Sequence, residues 1–245
     1  MKIIFDERFL EVYTSDPAAS AGRLECILEE LADYRSDFVE PEPASDEDVL
    51  LVHTPSHLEF VKIMKKVYEL ASLATGATIL ASSISFKEPA FALVRPPGHH
   101  ASPNSSWGFC YFNNIAISVR KLIKTGKISK AAIVDFDLHF GDGTSNTFMD
   151  DDKVKYYHMP ADDIEGIERF LKSWDYDIIA VSAGFDKHRD DWGNYLETED
   201  YREIGKIIRE ISEEKCEGRR YAVLEGGYVT DVLGKNVRAF IEGFR

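Results

Sequence analysis

"KAAIVDFDLHFGDG", residues 130–143, begins as an unbroken apolar run and ends in acid and imidazole. A continuous run of small and β-branched residues suits a strand covered on both faces, as in a parallel sheet packed between helices. Ala131, Ala132, Ile133 and Val134 fit that environment, whereas Asp135, Asp137, His139 and Asp142 do not. A strand is therefore expected over 130–139, with its polar groups gathered at the carboxyl end. Carboxylates this dense behind a buried strand are electrostatically costly unless positive charge offsets them.

The same pattern recurs outward in both directions. "MKIIFD" (1–6), "AFALVRP" (90–96), "VKYYH" (154–158), "YDIIAVSAGFD" (176–186) and "RYAVLEGGY" (220–228) all read as strands, most of them continuous apolar runs. Leu24, Ile27, Leu28 and Leu31 stand at helical spacing, as do Leu58, Val61, Met64 and Val67 within 53–71. The small apolar residues 72–84 suit a tightly packed helix. Further helices are expected at Asn113–Lys124, Ile164–Trp174, Thr198–Glu214 and Val229–Phe244. In the acidic loop 40–48, Ser45 and Asp48 have the spacing of a capping box. Strands alternating with helices imply an α/β fold with a parallel sheet flanked by helices. No repeat or linker divides the chain, so one domain over 1–245 is expected.

Open parallel sheets bind ligands beyond the carboxyl ends of their strands. Four of the expected strand ends carry reactive groups. His99 and His100 follow the run 90–96, Asp137 and His139 end the run 130–139, Asp186 ends the next and Tyr228 the last. Positions i and i+2 share a strand face, so Asp137 and His139 can project together, and Asp186 can join them. Two carboxylates and an imidazole suit a divalent metal with room left for water and substrate. Taken alone, Asp-x-His is also an ordinary hydrogen-bonded pair. The loop "RPPGHHASPNSSWGFCYFNN" (95–114) poses a related choice. Neighbours on an extended chain point to opposite sides. Two histidines acting together need an irregular turn, which prolines and glycines build. Otherwise the loop is simply solvated.

Other polar residues read more plainly. His53 and His57 flank Pro55, which marks a helix start and favours capping and packing over metal binding. His188 is expected on the rim. His158 is expected either to line the site or to help hold a structural cation. Tyr156 and Tyr157 read as strand packing, and "GDG" (141–143) lacks the lysine of a phosphate loop.

Composition excludes some classes. The hydrophobic share is 44% with 12% aromatics, and the formal net charge is −14. Such acidity disfavours direct contact with nucleic acid and favours cationic small molecules or basic peptides. Cys26, Cys110 and Cys216 are far apart, odd in number and without a CxxC, as expected of free thiols in a reducing compartment. No leader-like stretch opens the chain, and no apolar run is expected to reach membrane length. The expectation is a cytoplasmic protein with no membrane partner, of undefined oligomeric state.

"RPPGHH", "GFCYFNN", "DFDLHFGDG", "SAGFD" and "EGGY", in that order, resemble the histone deacetylase superfamily, which includes acetylpolyamine amidohydrolases and acetoin-utilisation proteins. The resemblance implies an arginase–deacetylase fold and hydrolysis of an acylated amine, such as an acetylpolyamine or acetyl-lysine. It implies that Asp137, His139 and Asp186 hold one catalytic zinc ion (Zn2+), with Fe2+ or Co2+ as alternatives. His99 and His100 match the tandem histidines, backed by Asp135 and Asp142 respectively. Tyr228 matches the tyrosine that donates to the substrate carbonyl. Phe109 matches one aromatic wall of the acyl channel, and Gly108 a backbone carbonyl near the amide.

Departures from the family bear on substrate. The segment 140–185 lacks a long loop that often supplies the second aromatic wall, so a wider mouth is expected. Tyr156 stands where the family often has a small hydroxyl residue, which leaves a structural K+ or Na+ open. Gly193, beside Trp192, occupies the place of the glutamate gatekeeper of the polyamine branch, and Asp190 and Asp191 are expected to supply rim acid instead. "DPAASAGRL" (16–24) replaces the N-terminal "HPER" signature. Two other readings stay open: a non-catalytic sensor of acylated or cationic ligands, and an arginase-like dimanganese hydrolase.

Overall fold

The computed structural model describes residues 1–245. Its centre is a seven-stranded sheet, with every neighbouring pair parallel. The strands are β1 (Lys2–Ile4), β2 (Phe38–Val39), β3 (Ala90–Ala92), β4 (Ala131–Asp135), β5 (Val154–His158), β6 (Ile178–Ala183) and β7 (Arg220–Leu224). Their spatial order is β2-β1-β3-β7-β6-β4-β5. The four strands whose ends carry the reactive residues, β3, β7, β6 and β4, are thus contiguous at the middle of the sheet. Every residue of those four strands is buried, as continuous apolar runs require.

Nine helices surround the sheet: α1 (Glu25–Glu30), α2 (Asp46–Val49), α3 (Pro55–Ile63), α4 (Lys65–Ile84), α5 (Asn114–Lys124), α6 (Asp142–Phe148), α7 (Ile164–Lys172), α8 (Thr198–Lys215) and α9 (Thr230–Phe244). The capping box expected at Ser45 and Asp48 opens α2. The helical pattern over 53–71 is divided. Met64 leaves helical geometry at φ −90°, ψ 71°, ending α3 and starting α4, which runs on unbroken through the small residues to Ile84. α4 is also long and apolar enough to cross a membrane, against the expectation from sequence. Here it is a core helix, packed on β1, β3, β7 and α5. One apolar cluster of 56 buried residues joins sheet and helices. Phe136, Phe185, Phe240 and Tyr201 interlock within it, directly behind the ends of β4 and β6.

Candidate active site

Asp137 and His139 leave the end of β4, and Asp186 leaves the end of β6. Their candidate ligand atoms all lie within 4.8 Å of one another. Both carboxylates are buried and oriented by the backbone. Asp137 accepts from the His139 N–H at 2.9 Å and the Gly226 N–H at 2.8 Å, and Asp186 from the Leu138 N–H at 2.9 Å. Gly226 has to lack a side chain, since a Cβ there would stand 2.6 Å from Asp137 Oδ2 and 2.7 Å from Asp186 Oδ2. His139 Nδ1 lies 3.3 Å from Asp137 Oδ1 and 3.1 Å from Asp186 Oδ2. Burial and the Asp137 carboxylate push Asp186 up to about 6. Hydrogen bonds to Asp137 and Asp186 push His139 up to about 10. Among protein groups alone, the imidazole therefore keeps a proton to balance two buried anions. A dication fits that donor set and removes the need for the proton.

His99 and His100 sit over this cluster with ring centroids 4.1 Å apart. His99 Nδ1 is 3.0 Å from Asp135 Oδ2, and His100 Nδ1 is 2.7 Å from Asp142 Oδ1. The loop is therefore no solvated turn: both histidines are buried. Their proton affinities diverge. Burial and the neighbouring His99 lower that of His100, against the pull of Asp142. Burial opposes charge on His99 too, but Asp137 and Asp135 outweigh it and hold its pKa well above the ordinary value.

Two groups that shape this pair were not legible as functional in the sequence. Glu225, fully buried at the end of β7, accepts from the Gly98 N–H at 2.7 Å and the His99 N–H at 3.2 Å. It pins the histidine loop to the sheet. Trp107 donates from Nε1 to Asp142 Oδ2 at 2.9 Å, and its ring lies 4.0 Å from the His100 ring. The histidine is thus held from two sides by one indole. The chain then turns through positive φ at Gly108 (57°) and Phe109 (66°). A Cβ on Gly108 would run into the His100 ring.

Tyr228 closes the other side. Its phenol is pushed up by burial and by Asp137, so it stays a neutral donor. Phe109 meets its ring edge-on at 6.1 Å. Trp192 stacks on the same ring at 4.0 Å and stands 6.0 Å from His139. This corrects the expectation of an open mouth, because a tryptophan from the loop after β6 supplies the missing wall. The resulting cleft holds about 110 Å³ and is lined by His100, Trp107, Phe109, His139, Trp192 and Tyr228.

Other expectations also change. Asp191 is no free rim acid: it accepts from the Tyr228 N–H at 2.8 Å, the Val229 N–H at 2.9 Å and its neighbour Trp192 N–H at 2.8 Å. Gly193 has no room for a gatekeeper, since a Cβ there would lie 2.7 Å from Lys187 Cα and 3.0 Å from Asp186 O. His188 is buried beside Tyr201 rather than on the rim. Tyr156 does more than pack, because its hydroxyl donates to Asp135 Oδ2 at 2.8 Å. Tyr157 stacks on Phe170. His53 and His57 stay structural: His53 Nδ1 meets Ser102 O at 3.1 Å, its Nε2 accepts from Asn113 N–H at 2.9 Å, and His57 Nε2 meets Tyr111 O at 2.8 Å.

Comparison with known proteins shows the family and the fold. A family model described as the histone deacetylase domain matches residues 18–163 and 164–244. A probable deacetylase of Archaeoglobus fulgidus is 33% identical, over 88% of this chain and 74% of the relative. Another, from Methanothermobacter thermautotrophicus, is 30% identical over 91% of this chain and 84% of the relative. In fold, the crystal structure of the HDA15 HD domain superposes with a TM-score of 0.87 at 23% identity, covering 99% of this chain and 88% of that one. With a seven-stranded parallel sheet, a carboxylate–imidazole cluster and tandem histidines on the matching segments, the chain belongs to the histone deacetylase domain family.

Proposed function

We propose that this chain is a zinc-dependent deacetylase that hydrolyses a short acyl amide on the end of a slender aliphatic amine, such as an acetylpolyamine or acetyl-lysine. The observation that carries the reading is the pairing of His99–Asp135 and His100–Asp142 above the Asp137, His139 and Asp186 cluster. Asp137, His139 and Asp186 would hold the metal, and Fe2+ or Co2+ would accept the same oxygen and nitrogen donors. When bound, such an ion polarises a carbonyl and acidifies water.

The protein groups divide the remaining work. His100 is the neutral imidazole. Its Nδ1 is engaged by Asp142, which leaves Nε2 to take a proton from water and return one to the departing amine. His99, whose Nδ1 is paired with Asp135, would stabilise negative charge as it develops. The two rings are close enough that they titrate as a coupled pair. Tyr228 donates to the developing oxyanion. Phe109 and Trp192 would flank a slender chain, and the Gly108 carbonyl would accept from its amide N–H, since all three residues line the cleft. A dimanganese site would need further acids, but the residue after Asp186 is Lys187.

The test is a screen of metal-reconstituted protein against acetylated amines and acetyl-lysine peptides, with kcat/KM compared for N-acetylputrescine, acetylspermidine and a peptide at low and high salt. Asp186→Ala should lose both metal and turnover. Tyr228→Phe should keep the metal and lose turnover, on the order of a hundredfold, as loss of an oxyanion donor does. Near-normal rates in both variants would remove these residues from the chemistry, and no turnover of any acylated amine by the unsubstituted protein would leave only a binding role.

A further inference from the structure

Behind the paired histidines lies a layer of buried negative charge larger than the metal-holding residues alone supply. Asp135, Asp137, Asp186 and Glu225 are each at most 1% exposed. Water cannot balance buried carboxylates at this density, and an uncompensated charge in such a place is strongly destabilising. Three buried cations stand near these strand ends, and one of them, Arg95, is spent on the backbone carbonyls of Phe9 and Ser20. Arg23 is committed elsewhere: it donates to the backbone carbonyls of Gly227 at 2.8 Å and Glu225 at 2.5 Å. The third is Lys187, 1% exposed, directly after Asp186.

The sheet order fixes where the Lys187 ammonium goes. Its Nζ donates to the carbonyl of Met159, one residue past β5. Lys187 leaves from the β6 end, and β4 lies between β6 and β5. The side chain therefore crosses the end of β4, where Asp135 sits. Met159 ties the two ends together, since its N–H donates to the Asp135 carbonyl at 2.8 Å. Asp135 itself is saturated. Oδ1 accepts from the Asp137 N–H at 3.0 Å, and Oδ2 is shared by His99 Nδ1 at 3.0 Å and the Tyr156 hydroxyl at 2.8 Å. The Tyr156 oxygen in turn accepts from the Gly141 N–H at 2.9 Å, which reaches the start of α6 and Asp142. Burial outweighs Asp135, Asp137 and Asp186 and leaves the proton affinity of Lys187 below that of a free lysine.

We propose that Lys187 and Tyr156 are positioning residues that form a built-in substitute for a dissociable monovalent cation. The ammonium balances the carboxylate layer from within, and the phenol fixes Asp135 and through it His99. The K+ or Na+ left open by the family resemblance is then not needed: its charge is supplied by one side chain and its coordination by another. The catalytic part of this inference rests on the deacetylase reading, whereas the stability part does not.

The experiment measures thermal unfolding, metal content and kcat/KM of the full chain in choline chloride, NaCl and KCl at one ionic strength. The unsubstituted protein should be indifferent to the choice of cation in all three readouts. Lys187→Ala empties the ammonium position beside the Met159 carbonyl and the carboxylates. It should become cation-responsive, with a lower melting temperature and kcat/KM in choline, down on the order of tenfold or more as for lost outer-shell partners of a metal site, and partial recovery in KCl. Tyr156→Phe should lose activity on a similar scale while retaining its metal. Recovery by K+ is the readout that a merely structural lysine would not show. A severalfold gain in activity, or a higher melting temperature, on adding K+ to the unsubstituted protein would overturn the proposal. So would a Lys187→Ala protein that is as stable and active in choline as the parent. The melting arms need no substrate, so they decide the matter even if no acylated amine is turned over.

Discussion

Asp191→Ala should disable the site without touching any group that meets substrate. Asp191 Oδ2 accepts from two consecutive N–H groups, those of Tyr228 and Val229, where the chain leaves the β7 end and enters α9. Hydrogen bonds to a charged acceptor are worth about 1.5–3 kcal/mol each when buried. This loop is half-buried and water replaces part of the loss, so a total of about 2 kcal/mol is the reasonable size. In a chain of this length that lowers the melting temperature by roughly 4–8 °C. A nearby acid also favours the N-terminal end of α9, which adds to the loss in the same direction. The larger effect falls on rate. Tyr228 is placed by its own backbone N–H, and a shift of about 1 Å in a reacting group costs on the order of a hundredfold. Differential scanning fluorimetry and steady-state kinetics on an acetylated amine measure the two effects. Asp191→Asn keeps one acceptor oxygen and should fall between. Asp190→Ala, next door but exposed, is the control and should change neither. If Asp191→Ala matches the parent in both stability and kcat, the anchoring argument is wrong.

Gly193→Glu should not create a polyamine-type gatekeeper but should damage the metal cluster, because its Cβ would press on Lys187 Cα and the Asp186 carbonyl; a folded variant that keeps full metal content refutes this. Trp107→Phe keeps the ring near His100 and removes the donor to Asp142, so kcat should fall about tenfold, less than the roughly hundredfold or more expected from losing the general base itself, with KM for small amides little changed. A third expectation concerns pH. Burial, with His57 nearby, depresses His53 to about 3. The folded state then binds fewer protons than the unfolded one between pH 6.5 and about 3, so stability is full above 6.5 and drains away as pH falls through that window. The drain amounts to several kcal/mol at most. It arises because a protonated His53 would carry its charge in a buried site beside His57, and protonating Nε2 would also remove the acceptor for the Asn113 N–H. His53→Gln should flatten the slope of unfolding free energy between pH 7 and 5, and an unchanged slope would place the titration elsewhere.

Much of this architecture was readable because the relevant signals are local. The run over 130–139 is apolar where β4 is covered on both faces, and it turns polar where the strand meets the rim. β5 matches "VKYYH" residue for residue, and α5, α7, α8 and α9 begin within a residue of their expected starts. What escaped was either short or non-local. β2 is two residues long and pairs only with β1, so no alternation could announce it. The break at Met64 interrupts a continuous helical pattern through a backbone angle rather than a proline or glycine. The starting residue of α6, Asp142, also carries His100, and its role on the loop masked its role in the helix.

The site shows the same division. Residue type and order were enough to gather Asp137, His139, Asp186, His99, His100 and Tyr228, because the topology sets β3, β7, β6 and β4 side by side and delivers each end to one rim. The residues that tune them carry no such mark. Trp107 and Trp192 read as loop aromatics, yet one brackets the His100–Asp142 pair and the other builds the wall that segment 140–185 lacks. Asp191 reads as rim acid, yet it is used up holding Tyr228. These corrections bear on substrate. Where a wider mouth and free rim acid were expected, the structure has a cleft of about 110 Å³ with aromatic walls. If the chain acts on acylated amines as proposed, selectivity between a polyamine and a lysine side chain would fall to the exposed rings that line the cleft, Trp107 and Trp192. Aromatic faces attract cations with less dependence on salt than carboxylates do. A substrate preference that persists at high ionic strength would trace to those rings, and one that vanishes would trace to the acidic surface around them.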